Sequence, residues 1–219
     1  DTTKYIILLG ISLGMKYLHS KNIVHRDLKP ANILIDEHFY PRICDFGFSR
    51  ITNEDLNQIK MSTCLGTPLY MAPEIFSFKP YTYKVDIYSF ALIAIQIILN
   101  KRSPIEITEI PGKENQDFFS KCISPNPSER PDFPEICEYL SKKEFIKIFS
   151  ELDYDEVYDF LDNFEEDDEA LLIYGLLLIN NKSGIKDAEK YFKKAASLGN
   201  SNAMFYYATM IHDLHSDCD

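Results

Sequence analysis

His25-Arg26-Asp27-Leu28-Lys29-Pro30-Ala31-Asn32 opens an ordered series that continues with Asp45-Phe46-Gly47 and closes with Gly66-Thr67-Pro68-Leu69-Tyr70-Met71-Ala72-Pro73-Glu74. A three-residue string recurs by chance in roughly a few thousand residues, but the ordered set at these separations has a chance frequency well below roughly one in a thousand. Between the first two strings, Asn32-Ile33-Leu34-Ile35-Asp36 reads as a strand, Glu37-His38-Phe39 as a turn and Tyr40-Pro41-Arg42-Ile43-Cys44 as the return strand. That hairpin delivers Asp45. Upstream, Tyr5 to Ser20 reads as a helix, with Ile7, Ile11, Met15 and Leu18 near helical spacing.

The ordered set resembles the catalytic loop, metal-binding loop and activation segment of eukaryotic protein kinases. The resemblance implies a mainly α fold, the kinase large lobe with short β-hairpins, and transfer of the γ-phosphoryl group of ATP to a protein hydroxyl. Such a reaction asks the protein mostly for positioning and charge neutralisation. By their match to the motif, Asp27 would orient the acceptor hydroxyl and take its proton, and Lys29 would stand beside the γ-phosphate. Asn32 and Asp45 would hold magnesium through hard oxygen ligands. ATP and magnesium are thus the implied cofactors. Lys29, two residues after Asp27, favours serine/threonine over tyrosine acceptors. Ile33, Leu34 and Ile35 resemble the apolar floor beneath the adenine ring, and they also read simply as a buried strand. His25 and Phe46 resemble two stacked residues that join the catalytic loop to the core. Glu74 and Arg130 resemble the ion pair that staples the activation segment to the late helices. Asp86 matches the carboxylate that holds the catalytic-loop backbone, a structural role. Gly47 allows the sharp turn after the metal ligand.

Thr63 stands near the position where the family carries an activating phosphate, with Arg26 as its cationic partner; Ser62 and Thr63 also read as solvated loop hydroxyls. A phosphate there would add roughly 1.5 to 2 negative charges. Thr67 resembles the residue that hydrogen-bonds Asp27 and Lys29 to shape the acceptor site. No Gly-rich loop and no Val-Ala-Ile-Lys-like strand stands upstream of His25. The chain therefore reads as a fragment without the small lobe, inactive by itself, with a truncated pseudokinase as the alternative. These 219 residues are expected to bind MgATP poorly, and micromolar binding by calorimetry would contradict that.

The late stretch Cys122-Ile123-Ser124-Pro125-Asn126-Pro127-Ser128-Glu129-Arg130-Pro131 resembles the tyrosine-kinase-like group of serine/threonine kinases. Three departures stand out: a contracted region from Ser103 to Asp117, Tyr88 where Trp is usual, and Ala91 where Gly is usual. Hydrophobic residues make up 45% of the chain and charged ones 26%, enough for one or two domains with real cores. No apolar run approaches the roughly eighteen residues of a membrane span. Cys44, Cys64, Cys122, Cys137 and Cys218 are scattered and suit a reducing cytoplasm. The net charge of −11 argues against nucleic acid as a partner.

Beyond about Lys143 the character changes. Eleven carboxylates lie from Glu151 to Glu169, interleaved with Leu152, Tyr154, Val157, Tyr158, Phe160, Leu161 and Phe164, an acidic helical linker whose charges read as a solvated face. Ala170-Leu171-Leu172-Ile173-Tyr174-Gly175 then realigns on Ala203-Met204-Phe205-Tyr206-Tyr207-Ala208, a period of about 33 residues. With Ala188 to Asn200 as its second helix and cap, the unit resembles a Sel-like repeat, a relative of the tetratricopeptide repeat. The expected organisation is a kinase large lobe over 1–143, the linker over 144–168 and an incomplete α/α solenoid over 169–219. The function expected is a serine/threonine kinase whose repeats recruit protein substrates and partners, with a non-catalytic scaffold as the alternative.

Overall fold

The computed structural model describes residues 1–51, 68–77, 81–102, 106–181 and 184–216. Helix dominates, in the order α1 (Thr2–Ser20), β1 (Ile23–Val24), β2 (Ile33–Ile35), β3 (Pro41–Ile43), β4 (Arg50–Ile51), α2 (Pro73–Phe76), α3 (Lys84–Leu99), α4 (Lys113–Cys122), α5 (Phe133–Leu140), α6 (Lys143–Ile146), α7 (Tyr154–Leu161), α8 (Asp168–Asn181), α9 (Ile185–Ser197) and α10 (Ser201–Ser216). Two compact units are present, Thr3–Ile136 and Asp1–Thr2 with Cys137–Asp219. Among the described residues no helix is long and apolar enough to cross a membrane.

In the first unit, α1 starts earlier than the periodicity predicts and is buried more widely. Tyr5, Ile6, Leu8, Leu9, Ile11, Leu13 and Met15 are all in the core, whereas Ile7 and Leu18 are only half-buried. A helix that is apolar nearly all round is a core helix, so a single stripe underdescribes it. It ends at Asn22, whose φ of 58° and N–H bond to the His19 carbonyl close the last turn. The second core helix, α3, buries Ile87, Phe90, Ile93 and Ile95 and ends on Asn100 in the left-handed region. Ser89 Oγ and Gln96 Oε1 of this helix bond the Tyr70 carbonyl and hydroxyl, fixing the turn at Pro68–Tyr70. In the contracted region, residues 103–105 lie outside the described residues; Ile107–Glu109 forms one 3-10 turn that leads to α4.

The two ribbons are short and antiparallel. β1 pairs with β4, Ile23 opposite Ile51, and β2 with β3, Ile33 opposite Ile43 and Ile35 opposite Pro41. Asn32 lies in a 3-10 turn, Pro30–Asn32, so the strand is shorter than the sequence suggests. At the β2–β3 turn the Asp36 carboxylate accepts from the Tyr40 and His38 amides and from Arg42. The Tyr40 amide first, then Arg42 and the His38 amide, hold this carboxyl below its ordinary pKa. This support is present above the ordinary carboxylate range and is lost as pH falls through the lowered value.

In the second unit the acidic segment is structural. Asp153 caps α7 by accepting from the Asp155 and Glu156 amides, and Val157, Phe160 and Leu161 of that helix are buried. Asp167 caps α8 in the same way. Most carboxylates of the segment are exposed, as a solvated face requires, and two of them also complement helix N-termini. The unit runs from Cys137 and includes residues 144–168, of which Phe145, Ile146, Phe149, Val157, Phe160 and Leu161 are buried. Gly175 of α8 faces Phe192 of α9 so closely that a Cβ there would stand 2.6 Å from Phe192 Cε1. Gly175→Ala should therefore cost about 1–3 kcal/mol by overpacking, read as a lower melting temperature.

Candidate active site

The loop after β1 is shaped by one buried carboxylate. Asp86, in the first turn of α3 and fully buried, accepts from the His25 amide through Oδ2 and from the Arg26 amide through Oδ1, each at 2.8 Å. Arg26 has φ 71°, a left-handed conformation unusual for a residue with a long side chain. The clamp on two successive amides is what holds it there. His19, which the sequence reading did not single out, places Nε2 2.9 Å from Asp86 Oδ2. A His six residues before His25 on a helix end carries no signal of its own; only the fold brings it to Asp86.

Next along the loop, Asp27, Lys29 and Asn32 form one cluster. Lys29 Nζ lies 2.6 Å from Asp27 Oδ2, and Asn32 Nδ2 donates to the same oxygen at 3.1 Å and to the Asp27 carbonyl at 2.9 Å. Asp27 and Asn32 are buried. The Asp27 amide donates to His25 Nδ1, so the His25 ring proton sits on Nε2, which donates to the Cys44 carbonyl at 3.1 Å. The His25 ring also lies 5.3 Å from that of Phe46.

The hairpin brings the fourth residue to the same end. The Cys44 amide donates to the Asn32 carbonyl, extending the β2–β3 pairing by one position, and Asp45 follows immediately. Asp45 has φ 63° and accepts from the Gly47 amide, which turns the chain sharply. The donor set suits a hard cation. Asn32 commits its amide nitrogen to Asp27, which leaves the carbonyl as the end available for a metal, and the Asp45 carboxylate is exposed. Two oxygen donors leave room for the waters and phosphate oxygens that magnesium prefers to keep. Among the described residues no group of three or more His, Cys, Asp and Glu could hold a metal.

Leu34 and Ile35 are 56% and 44% exposed, so the buried-strand reading fails for them: the β2–β3 ribbon has two strands, and its outer side chains face solvent. Ile33 is half-buried. Thr63 and Thr67 lie outside the described residues, with Ser62. Glu74 and Arg130 meet as a bidentate pair at 2.7 and 2.8 Å. The Arg130 guanidinium also sits 5.1 Å from the Tyr88 ring centroid, a contact that an aromatic residue other than Trp can supply. A further polar group, unanticipated from sequence, joins Tyr83 and Lys84 to Asp132. Burial first, then the Asp132 charge, pushes the Tyr83 phenol up to about 12. Burial likewise raises the Cys122 thiol, which should resist thiol reagents until the protein unfolds.

Residues 2–140 match the protein kinase domain family. The probable serine/threonine-protein kinase kinX of Dictyostelium discoideum is 36% identical over 178 residues, covering 73% of this chain and 16% of that protein. The RGS domain-containing serine/threonine-protein kinase A of the same organism is 41% identical over 150 residues, 60% of this chain and 13% of that protein. Serine/threonine-protein kinase STY17 of Arabidopsis thaliana is 33% identical over 154 residues, 62% of this chain and 26% of that protein. The chain therefore spans about a quarter or less of the length of these relatives.

Proposed function

Because this chain belongs to the protein kinase family, we propose that it forms the catalytic lobe of a serine/threonine kinase that moves the γ-phosphoryl group of ATP to protein hydroxyls. The observation that carries this reading is the Asp27–Lys29–Asn32 cluster, with Asp45 delivered beside it by the β2–β3 ribbon. Asp27 orients the acceptor hydroxyl and accepts its proton at a carboxylate oxygen. Lys29, already beside Asp27, supplies positive charge to the transferring group, and Ile33 and Leu34 offer apolar surface to the base. Asn32 and Asp45 would hold magnesium, which when bound neutralises charge on the phosphate oxygens. Arg26 and Thr63 are the proposed regulatory pair, and Thr67 the proposed acceptor-site residue. His25, Phe46, Asp86, Glu74 and Arg130 hold the site together.

The finer assignment, a tyrosine-kinase-like enzyme of the cytoplasm followed by Sel-like helical repeats that recruit proteins, is supported by the late signature and the 33-residue period. Incubating the natural-length protein with MgATP and a generic protein acceptor should give phosphoserine or phosphothreonine. No incorporation favours the scaffold reading. Deleting residues 144–219 should leave phosphorylation of a short peptide largely intact and remove a subset of co-purifying proteins. Loss of peptide phosphorylation with an unchanged set of partners would instead make the repeats part of the catalytic fold.

A further inference from the structure

One wall of the cavity beside the catalytic loop is built from the end of α3. From Lys29 and Ala31 of the loop, the lining passes to Tyr70, Gln96, Lys101 and Arg102. Gln96 ties these parts together. Its Oε1 accepts from the Tyr70 hydroxyl at 3.0 Å, and its Nε2 donates to the Arg102 carbonyl. Asn100, at φ 52°, ends the helix, and the Lys101 amide donates back to the Gln96 carbonyl at 3.2 Å. The turn at Pro68–Tyr70 and the segment Lys101–Arg102 are therefore both fixed to α3. The charges of this wall have one sign. Lys29, Lys101 and Arg102 are cationic, and among the described residues no Asp or Glu lines the cavity. Lys29 and Lys101 each have a carboxylate behind them, Asp27 and Glu109. Arg102 is exposed and has no ion-pair partner among the described residues.

We propose that Arg102, with Lys101 beside it, selects acceptor peptides that carry Asp or Glu next to the phosphorylated hydroxyl. The inference rests on the phosphotransfer reading above and names a substrate class that reading leaves open. Lys29 lines the cavity and stands 2.6 Å from Asp27, so a peptide whose hydroxyl reaches Asp27 lays neighbouring residues along this wall. A carboxylate there gains a charge-assisted bond, which a guanidinium can make bidentate. A Lys or Arg at the same place meets like charge. Gln96 acts as a positioning residue, because it is neutral and holds the Arg102 backbone against the Tyr70 turn. The overall field works the other way. These 219 residues carry a net charge of −11, which by itself attracts basic peptides. Only the local wall predicts a preference for acid.

The test uses the natural-length protein and synthetic peptides that differ only in the residues flanking one serine, all Glu, all Ala or all Lys. At low salt, kcat/KM should fall in that order. About tenfold is expected between the Glu and Lys peptides, carried mainly by KM, and the ratio should shrink as salt is added. Arg102→Glu should bring the ratio to one or invert it. Because Gln96 bonds the Arg102 carbonyl and not its side chain, the substitution leaves the end of α3 intact, which an unchanged melting temperature checks. Arg102→Gln, which removes a charge without adding one, should give an intermediate ratio. Equal kcat/KM for the Glu and Lys peptides, a preference for Lys, or a Glu preference that survives both substitutions would overturn the proposal and leave the kinase reading standing. So would silence of all the peptides while a generic protein acceptor is phosphorylated. No phosphorylation of any acceptor would remove the kinase reading and this inference with it.

Discussion

Asp27→Asn in the natural-length protein is expected to lower the phosphotransfer rate by about two to four orders of magnitude, the scale of general-base assistance combined with positioning. The substitution keeps the shape of the side chain. An Asn oxygen at the Oδ2 position can still accept from Lys29 and Asn32, which now lie 2.6 and 3.1 Å away, so the loop keeps its geometry while losing a negative charge and a basic oxygen. Its backbone supports are untouched, because Asp86 holds the preceding two amides. The loss should therefore fall on kcat, with a smaller change in the KM for ATP, because Asn32 and Asp45 retain their oxygens. Steady-state kinetics with a peptide acceptor, alongside a melting curve that matches the parent, separates lost chemistry from lost folding. Near-normal turnover would remove Asp27 from the proton-transfer role.

What the sequence disclosed and what it concealed follow from the range of each interaction. The hairpin was legible because its apolar strands flank polar turn residues within about a dozen positions, and Asp36 closes it through local hydrogen bonds. Of the residues aligned 33 positions apart in the sequence, Ala170 and Ala203 are both buried; the Asp167 and Asn200 caps three residues before them lay outside that alignment, because a single polar residue before a helix carries no periodic signal. The His19–Asp86 contact joins residues 67 positions apart, and the bonds from Lys84 and Tyr83 to Asp132 span 48 and 49. No local pattern marks such pairs. The exposure of Leu34 and Ile35 was hidden for a related reason: an Ile-Leu-Ile run fixes strand preference but says nothing about whether a second layer covers it. The acidic segment was legible as a helix with Val157, Phe160 and Leu161 buried and most of its carboxylates exposed, but composition, which only counts charges, could not show that Asp153 and Asp167 act singly as helix caps.

Arg130→Met should be the most damaging single change to the stability of the first unit. The Arg130 side chain is fully buried and makes four kinds of contact: both nitrogens of its fork bond Glu74, Nε bonds the Ser124 carbonyl, Nη1 bonds the Lys84 carbonyl, and the plane faces Tyr88. Methionine fills much of the volume but supplies none of the donors. Glu74, with only 10% of its side chain exposed, is then left as a charge without its partner, and two carbonyls lose a donor. Removing one member of a buried pair costs about 3–5 kcal/mol. For a chain of this size that is a fall in melting temperature on the order of 10 °C. Glu74→Gln should cost less, because the amide oxygen still accepts from the guanidinium and the site keeps most of its hydrogen bonds. The double variant decides the cause. If the stranded carboxylate carries the penalty, Arg130→Met with Glu74→Gln will be more stable than Arg130→Met alone, and the two effects will not add. If the double variant is instead the sum of the singles, the cost lies in the lost Ser124, Lys84 and Tyr88 contacts, and Arg130 acts as a packing and hydrogen-bonding hub independent of its charge partner.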